Sequence, residues 1–397
     1  MAKQQGQSAF NGRIGVVMVP AEVKKIAVVI PKYGLVGGGE QFALHLTEKI
    51  ARNPRYDVHV FANKWKAVSG NVSFHFVPML RFPRFLTTIS FAFFANAAIA
   101  CRDFDLIHTH DRIFHADVFT MHGVPHRFWV REVRKKGMSL FDRVTAWVEQ
   151  RLIADHRCRF LLPVSTLALE KFSREFGVEK SRVRVIHPGI ELARFDLPGR
   201  PEIRGEIRKK FGIGPDDFLV LFVGMNFALK GLQTTISALA KAKAKLPGKE
   251  MKLLVVGKGN QDKYRKIAAD LGVGGDVLFA GVQGEGIEKI YAASEVCVLL
   301  SGFDTFGMTV LEAMAASLPV IISTQVGAKD IVIDGEHGFI VAKEDAETVS
   351  IHLVSLCDEQ RRARMGRAAC QRAAEHSWEE VAGKVVTIYE EILSAPP

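Results

Sequence analysis

An α/β fold of two doubly wound, Rossmann-like domains facing each other across a cleft is predicted by three observations. Short apolar runs rich in Val, Ile and Phe alternate with stretches of helical periodicity, which is the grammar of a parallel sheet covered by helices. That grammar runs from about residue 24 and restarts near residue 217. The length, 397 residues, also exceeds what a single core normally supports, and two domains are expected.

In the first series KIAVVIP, YDVHVFA, VSFHFVP, FDLIHTH and DVFTMHG read as strands. GGGEQFALHLTEKIARN reads as a helix with Phe42, Leu46 and Ile50 on its apolar face. Residues 85–101, FLTTISFAFFANAAIAC, form 17 uncharged positions, below the roughly 20 apolar residues needed to span a bilayer. A strand follows at once, so a buried helix is expected there. In the second series DFLVLFVG, MKLLVVGKG, DVLFAG and VCVLLS are strands, and KGLQTTISALAKAKAKL, DKYRKIAADLG and IEKIYAASE are helices. Pro and Gly cluster around 188–201 and mark the seam. The predicted division is a loose tail over 1–22, a first domain over 23–195, a second over 196–376, and a terminal segment over 377–397.

Hydrophobic content of 48% and charged content of 24% are those of a soluble globular protein. Five cysteines without C-x-x-C spacing argue against a disulfide framework, a redox pair or a metal ribbon, and fit a reducing cytoplasm. The opening MAKQQGQSAFNGRIGVVMVPAEVKK lacks the apolar core of a signal peptide. Residues 1–200 carry 30 Lys and Arg against 17 Asp and Glu, a net +13; the rest carries 23 against 26, a net −3, which together give the whole-chain +10. An anionic partner for the first half follows: a membrane surface, a phosphorylated saccharide or nucleic acid.

Ligands of open α/β sheets bind at the carboxyl ends of strands, so the loops there are searched first. In SGFDTFGMTVLEAMAASLPVI, Asp304 precedes a helix whose apolar positions are Val310, Leu311, Met314 and Ala315, while Glu312 lies on its first turns and Pro319 ends it. Gly307 permits close backbone approach. Free amides at the helix start suit phosphate, and the carboxylates suit sugar hydroxyls. In FVGMNFALKGLQ, Gly224 ends a strand and Lys230 stands before a helix as a point charge for a leaving phosphate. In KYGLVGGGEQF the glycines Gly37, Gly38 and Gly39 form a strand-to-helix turn open to a phosphate or sugar. In HTHDRIFHADVFTMHGVPH the histidines lack H-E-x-x-H spacing, so metal ligation is not expected; His122, after a strand, is the candidate for bonding a hydroxyl.

At these residues the chain resembles the retaining nucleotide-sugar glycosyltransferases of family four. GGGEQFALHLTEKI, FTMHG, VIHPGIELARF, KGLQTTISALA, YAASEVCVLLS, FDTFGMTVLEAMAASLPVI and DGEHGFIV match in type and order over roughly residues 24–395. Within the family the likeness is greatest to glucosyltransferases of the lipopolysaccharide inner core, through RKKGMSLFDRV and the run into HPGI. The resemblance implies a GT-B fold with residues 377–397 as a helix crossing back onto the first domain. It implies a nucleotide-sugar donor, UDP-glucose foremost, and a saccharide acceptor, with GDP-mannose or UDP-N-acetylglucosamine as alternative donors. Lys230, Asp304 and His122 are then the catalytic candidates; Gly38, Gly39, Gly224, Phe306, Gly307, Met308, Thr309 and Glu312 are the donor-binding ones. No metal or other cofactor is implied. Two departures are Asp304, where the family usually has Glu, and Met225, where it often has Arg.

A nucleotide-sugar epimerase would share fold and donor. A dinucleotide oxidoreductase would need G-x-G-x-x-G, which is not evident. Finally, RFWVREVRKK combines Arg127, Arg131, Arg134, Lys135 and Lys136 with Phe128, Trp129 and Val130. That mixture suits an anionic headgroup layer; together with the resemblance, which implies an anionic glycolipid or oligosaccharide acceptor, it predicts a cytoplasmic enzyme held peripherally on the inner membrane face by these cations, with no nucleic-acid partner.

Overall fold

The structure is a computed structural model that describes residues 22–35, 37–284 and 286–395; the expected tail lies outside the described residues, apart from Glu22. Two six-stranded sheets, parallel throughout, carry the chain. In the first, the order is Val72–Phe76, Tyr56–Ala62, Lys24–Val29, Leu106–Thr109, Val118–Met121, Phe160–Pro163. The second runs Val277–Gly281, Met251–Gly257, Phe218–Gly224, Val296–Leu299, Val320–Ser323, Gly338–Val341. Numbered along the chain, both have the order 3-2-1-4-5-6 of doubly wound folds, whose connections reverse direction between strands 1 and 4.

Why these segments are strands is plain from their burial. Strands covered by helices on both faces read as continuous apolar runs, and Ile26–Val29, Phe218–Phe222 and Val320–Ile322 are all buried. The helix Gly38–Ile50 follows strand 1 of the first sheet and buries Phe42, Leu46 and Ile50 as its period requires. Gly38 and Gly39 correct the sequence reading: they form the first turn of this helix, and Gly37 alone is the cap. The helix Leu86–Ala100 occupies the long apolar stretch and buries Ser90, Phe91, Ala92, Ala95 and Ile99, but Phe93 is 60% exposed. Among the described residues no helix is long and apolar enough to cross a membrane.

The last helix, Trp378–Leu393, lies against Gly38–Ile50. Trp378 meets Phe42 edge-on with centroids 5.3 Å apart, and the Tyr389 hydroxyl is 2.6 Å from His108 Nδ1. Where the chain crosses into this helix it pairs with the earlier crossing: the Ile190 amide donates to the His376 carbonyl at 2.8 Å. Trp378, Val381, Val385, Ile388 and Ile392 are buried in a core that also holds Ile26, Val28 and Leu46.

Candidate active site

In the second sheet, strands 1 and 4 are neighbours, and the loops that leave their carboxyl ends supply the first two functional side chains. Lys230 comes from the loop after Phe218–Gly224, Asp304 from the loop after Val296–Leu299. Their side chains form an ion pair, Lys230 Nζ donating to Asp304 Oδ2. The loops are also tied through backbone, Gly302 N–H to Leu229 O at 2.8 Å. Asp304 is further fixed by its amide donating to Gln325 O at 2.9 Å and its carbonyl accepting from Gly327 N–H at 3.0 Å. Sequence reasoning assigned the lysine to phosphate and the acid to sugar separately; the fold makes them one unit.

Gly307 caps the helix Met308–Ala315 with φ +95°, and a Cβ there would come within 2.9 Å of Val326 Cγ1. Only glycine meets both conditions. The turn aims the first amides of the helix, which have no intrahelical acceptor, into the space beside Asp304. One turn further, Glu312 accepts a hydrogen bond from the Tyr291 hydroxyl at 2.7 Å. Burial raises the Glu312 carboxyl above its ordinary pKa, and the tyrosine bond acts in the opposite direction. Glu312 is thus partly buried, and one of its oxygens is already engaged by the protein. Tyr291 was missed: its aromatic ring in IEKIYAASE looks like any core residue, and nothing local shows that its hydroxyl meets an acid 21 positions away.

Across the cleft, the first domain contributes Gly38, Gly39, Phe42 and His122. One cavity of about 590 Å³ is lined by all eleven catalytic and donor-binding candidates: Gly38, Gly39, His122, Gly224, Lys230, Asp304, Phe306, Gly307, Met308, Thr309 and Glu312. Its size is that of a site for a small organic ligand. Met225 also lines it and is 62% exposed. His122 Nε2 lies 3.0 Å from His110 Nδ1, and burial lowers the His122 pKa to about 3, so the ring is neutral at physiological pH.

Gly39 and His122 line a second cavity, of about 340 Å³, within the first domain. Sequence reasoning missed its charged walls. Arg112 there is held by Glu149 at 2.9 Å and by Asp111 at 3.4 Å, and Lys32 lies 3.8 Å from Glu40. Each cation of this cavity faces a carboxylate, so the wall presents hydrogen-bonding groups of both signs. Two other histidines of that stretch point elsewhere: His115 bonds Asp155 at 2.6 Å, and His126 bonds Asp142 at 2.9 Å. Among the described residues, no group of three or more His, Cys, Asp or Glu side chains is gathered to hold a metal.

The segment 127–136 lies apart from the cleft cavity and differs from expectation. Arg127, Arg131, Arg134, Lys135 and Lys136 are exposed. The apolar half of the mixture is turned inward: Val130 is buried, and Phe128, Trp129 and Val133 pack on a cluster of Val124, Leu167 and Phe303 that bridges the two domains. Phe128 and Phe303 lie 5.8 Å apart by centroid. Packing at this interdomain cluster leaves Phe128, Trp129 and Val133 only partly exposed, so little of their apolar surface faces outward.

Two facing doubly wound domains, with a cavity formed by loops from both and helix-start amides beside an acid and a lysine, have the architecture of the GT-B fold. The family comparisons agree: residues 36–194 match Glycosyltransferase Family 4 and residues 203–372 match Glycosyl transferases group 1. The chain is a glycosyltransferase of the GT-B type. It is 26% identical over 390 residues to an uncharacterized glycosyltransferase of Methanocaldococcus jannaschii, covering 92% of this chain and 98% of that one. It is 31% identical over 228 residues to the D-inositol 3-phosphate glycosyltransferase of Acidothermus cellulolyticus, spanning 55% of this chain and 50% of that one. Among solved structures it is similar to WaaG, a glycosyltransferase involved in lipopolysaccharide biosynthesis, at 21% identity and a TM-score of 0.75, covering 91% of this chain and 99% of that one. Anabaena HepE in complex with UDP-glucose aligns at 18% identity and a TM-score of 0.69, covering 92% and 99%.

Proposed function

We propose that the protein transfers a hexose from a nucleotide sugar to a saccharide acceptor with retention, using UDP-glucose and a lipopolysaccharide-core acceptor. The observation that carries the reading is the convergence of Lys230, Asp304, Glu312 and the amides of Phe306–Thr309 on one interdomain cavity. Residues 23–195 act as the acceptor domain and 196–376 as the donor domain, with 377–397 returning to the first. The UDP-glucose complex of a fold neighbour supports the donor class.

Glu312 accepts the ribose hydroxyls, the helix-start amides face the diphosphate, and Asp304 and His122 bond the transferred sugar. As the anomeric C–O bond breaks, its electron pair passes to the diphosphate oxygen. The acceptor oxygen bonds to the anomeric carbon from the same face and gives its proton to a donor phosphate oxygen. Charge grows on the diphosphate during this step, and a cation with aligned amides stabilises that growth more than the ground state. Lys230 supplies the cation. On this reading no metal is needed for the step.

The acceptor sugar occupies the cavity of about 340 Å³ in the first domain, which meets the donor cavity at Gly39 and His122. Its paired charges suit hydroxyl-rich rings, so the anionic part of the acceptor lies outside it, toward the exposed cations of 127–136. The membrane-facing apolar groups are relocated accordingly. Phe82 is 90% exposed, and Phe93, Leu140 and Trp147 are exposed on two helices that pack together. Exposed Arg81, Arg84, Arg143 and Arg151 accompany them, while the carboxylates of those helices, Asp142 and Glu149, are buried. This side and the adjacent 131–136 cations attach the enzyme peripherally to the inner membrane face.

Mass spectrometry of the protein incubated with a panel of nucleotide sugars and a core oligosaccharide tests the function. A glucosylated acceptor formed from UDP-glucose supports it. Transfer from another donor alone, or an isomerised sugar without transfer, overturns it.

A further inference from the structure

Behind His122 stands a histidine that no role above uses. His110 leaves strand 4 of the first sheet, is 5% exposed, and lies between His108 and His122, with ring centroids at 4.4 and 5.2 Å. Its Nδ1 is 3.0 Å from His122 Nε2. Its own Nε2 is buried and has no hydrogen-bond partner among the described residues. His108 cannot supply one, because both of its nitrogens are engaged, by the Tyr389 hydroxyl at 2.6 Å and the Thr120 hydroxyl at 2.7 Å.

Burial lowers both rings well below the usual histidine pKa, so each neutral ring carries one proton. Two arrangements place a single proton between the facing nitrogens. If His122 Nε2–H donates, His110 must carry its proton on Nε2, and an N–H is sealed away from water and from any acceptor. If His110 Nδ1–H donates, only a lone pair is left unpartnered. An orphaned buried N–H is the rarer and costlier state. The second arrangement also requires His122 to carry its proton on Nδ1, the nitrogen that makes no bond to a described residue. Ring position is constrained from both sides. Phe42 packs edge-on at 4.8 Å, and a Cβ on Gly39 would come within 3.0 Å of His122 Cγ.

We propose that His110 is a positioning residue that fixes His122 as its Nδ1–H tautomer, so that the cleft receives a hydrogen-bond donor aimed at an oxygen of the transferred sugar. The inference rests on the proposed placement of that sugar at His122. It makes the histidine a selector of acceptor oxygens, where a ring of the opposite tautomer would select donors.

The full-length protein labelled with 15N-histidine tests the tautomer directly through long-range 1H–15N correlation, with and without UDP-glucose. The expected wild-type spectrum shows His122 protonated on Nδ1. In His110→Phe that tautomer is lost, and in His110→Asn, whose amide N–H lies near the original Nδ1, it is kept. UDP release from UDP-glucose without acceptor is expected to fall about tenfold in kcat/KM for His110→Phe, equivalent to about 1.4 kcal/mol, and His110→Asn restores most of it. A wild-type His122 protonated on Nε2 overturns the proposal even if no variant folds. An unchanged UDP release rate in His122→Ala overturns the sugar contact instead, whatever the tautomer.

Discussion

Tyr291→Phe removes one oxygen and leaves the buried ring in place. That oxygen donates to Glu312 Oε2 at 2.7 Å, and a hydrogen bond to a charged group is worth about 1.5–3 kcal/mol. If Glu312 holds the donor's ribose, losing its orientation should weaken UDP-glucose binding by a factor of roughly 10 to 150. The pH profile carries a second signature. Burial already raises the Glu312 pKa and the tyrosine bond opposes that rise, so removing the bond raises it further. Because the ionised carboxylate is the acceptor of ribose hydroxyls, affinity should decline as pH falls through the folded pKa, and the decline should begin at higher pH in the variant. Isothermal titration with UDP-glucose across pH 5 to 8 measures both effects. Equal affinity and superimposable profiles for the two proteins would refute the reasoning.

Three further outcomes are expected. Lys230→Ala should lower kcat by about 10²–10³, the usual cost of losing one group that stabilises developing negative charge, and a change confined to the KM for donor would count against that role. On acidification, His108, His110 and His122 should destabilise the fold. Their folded pKa values lie below the ordinary 6.5, near 3 for His108 and His122, so the unfolded chain binds more protons and stability is lost as pH drops from about 6.5 toward 3, by up to about 1.4 kcal/mol per pH unit for each histidine; a flat stability between pH 7 and 5 by urea titration would contradict this. Sedimentation with anionic vesicles should weaken with salt and on changing Arg131, Arg134, Lys135 and Lys136 to Gln, or Phe82 and Trp147 to Ser, while equal binding to neutral vesicles would dismiss the membrane face.

What could be read before the structure was the part written in local pattern. Runs such as FLVLFVG leave little choice but a strand covered on both faces, and the loops after them held Lys230, Asp304 and Gly307 in plain view. Pairing across the fold was not legible. Lys230 and Asp304 are 74 positions apart, and no property of either stretch says that one neutralises the other. Phe128 and Trp129 misled for a related reason: a stretch of cations and aromatics has the same composition whether its rings meet lipid or Phe303 of another domain. Gly38 and Gly39 read as part of the turn before the helix because glycine is a poor helix former, yet packing of Phe42, Leu46 and Ile50 overrides that weakness and draws both into the first turn.

The helix Trp378–Leu393 also has a meaning in time. Its apolar side completes a core that includes Ile26 and Val28, and its Tyr389 reaches His108, 281 positions earlier. A ribosome that has finished the first sheet has still to make roughly 200 residues before this helix exists, which at about 5–20 residues per second is a wait of roughly 10–40 s. Through that interval the nascent first domain lacks the cover that Trp378 gives Phe42 on that flank. Folding of this chain therefore closes from its two ends, and a stalled or shortened product should attract chaperones through the half that was made first.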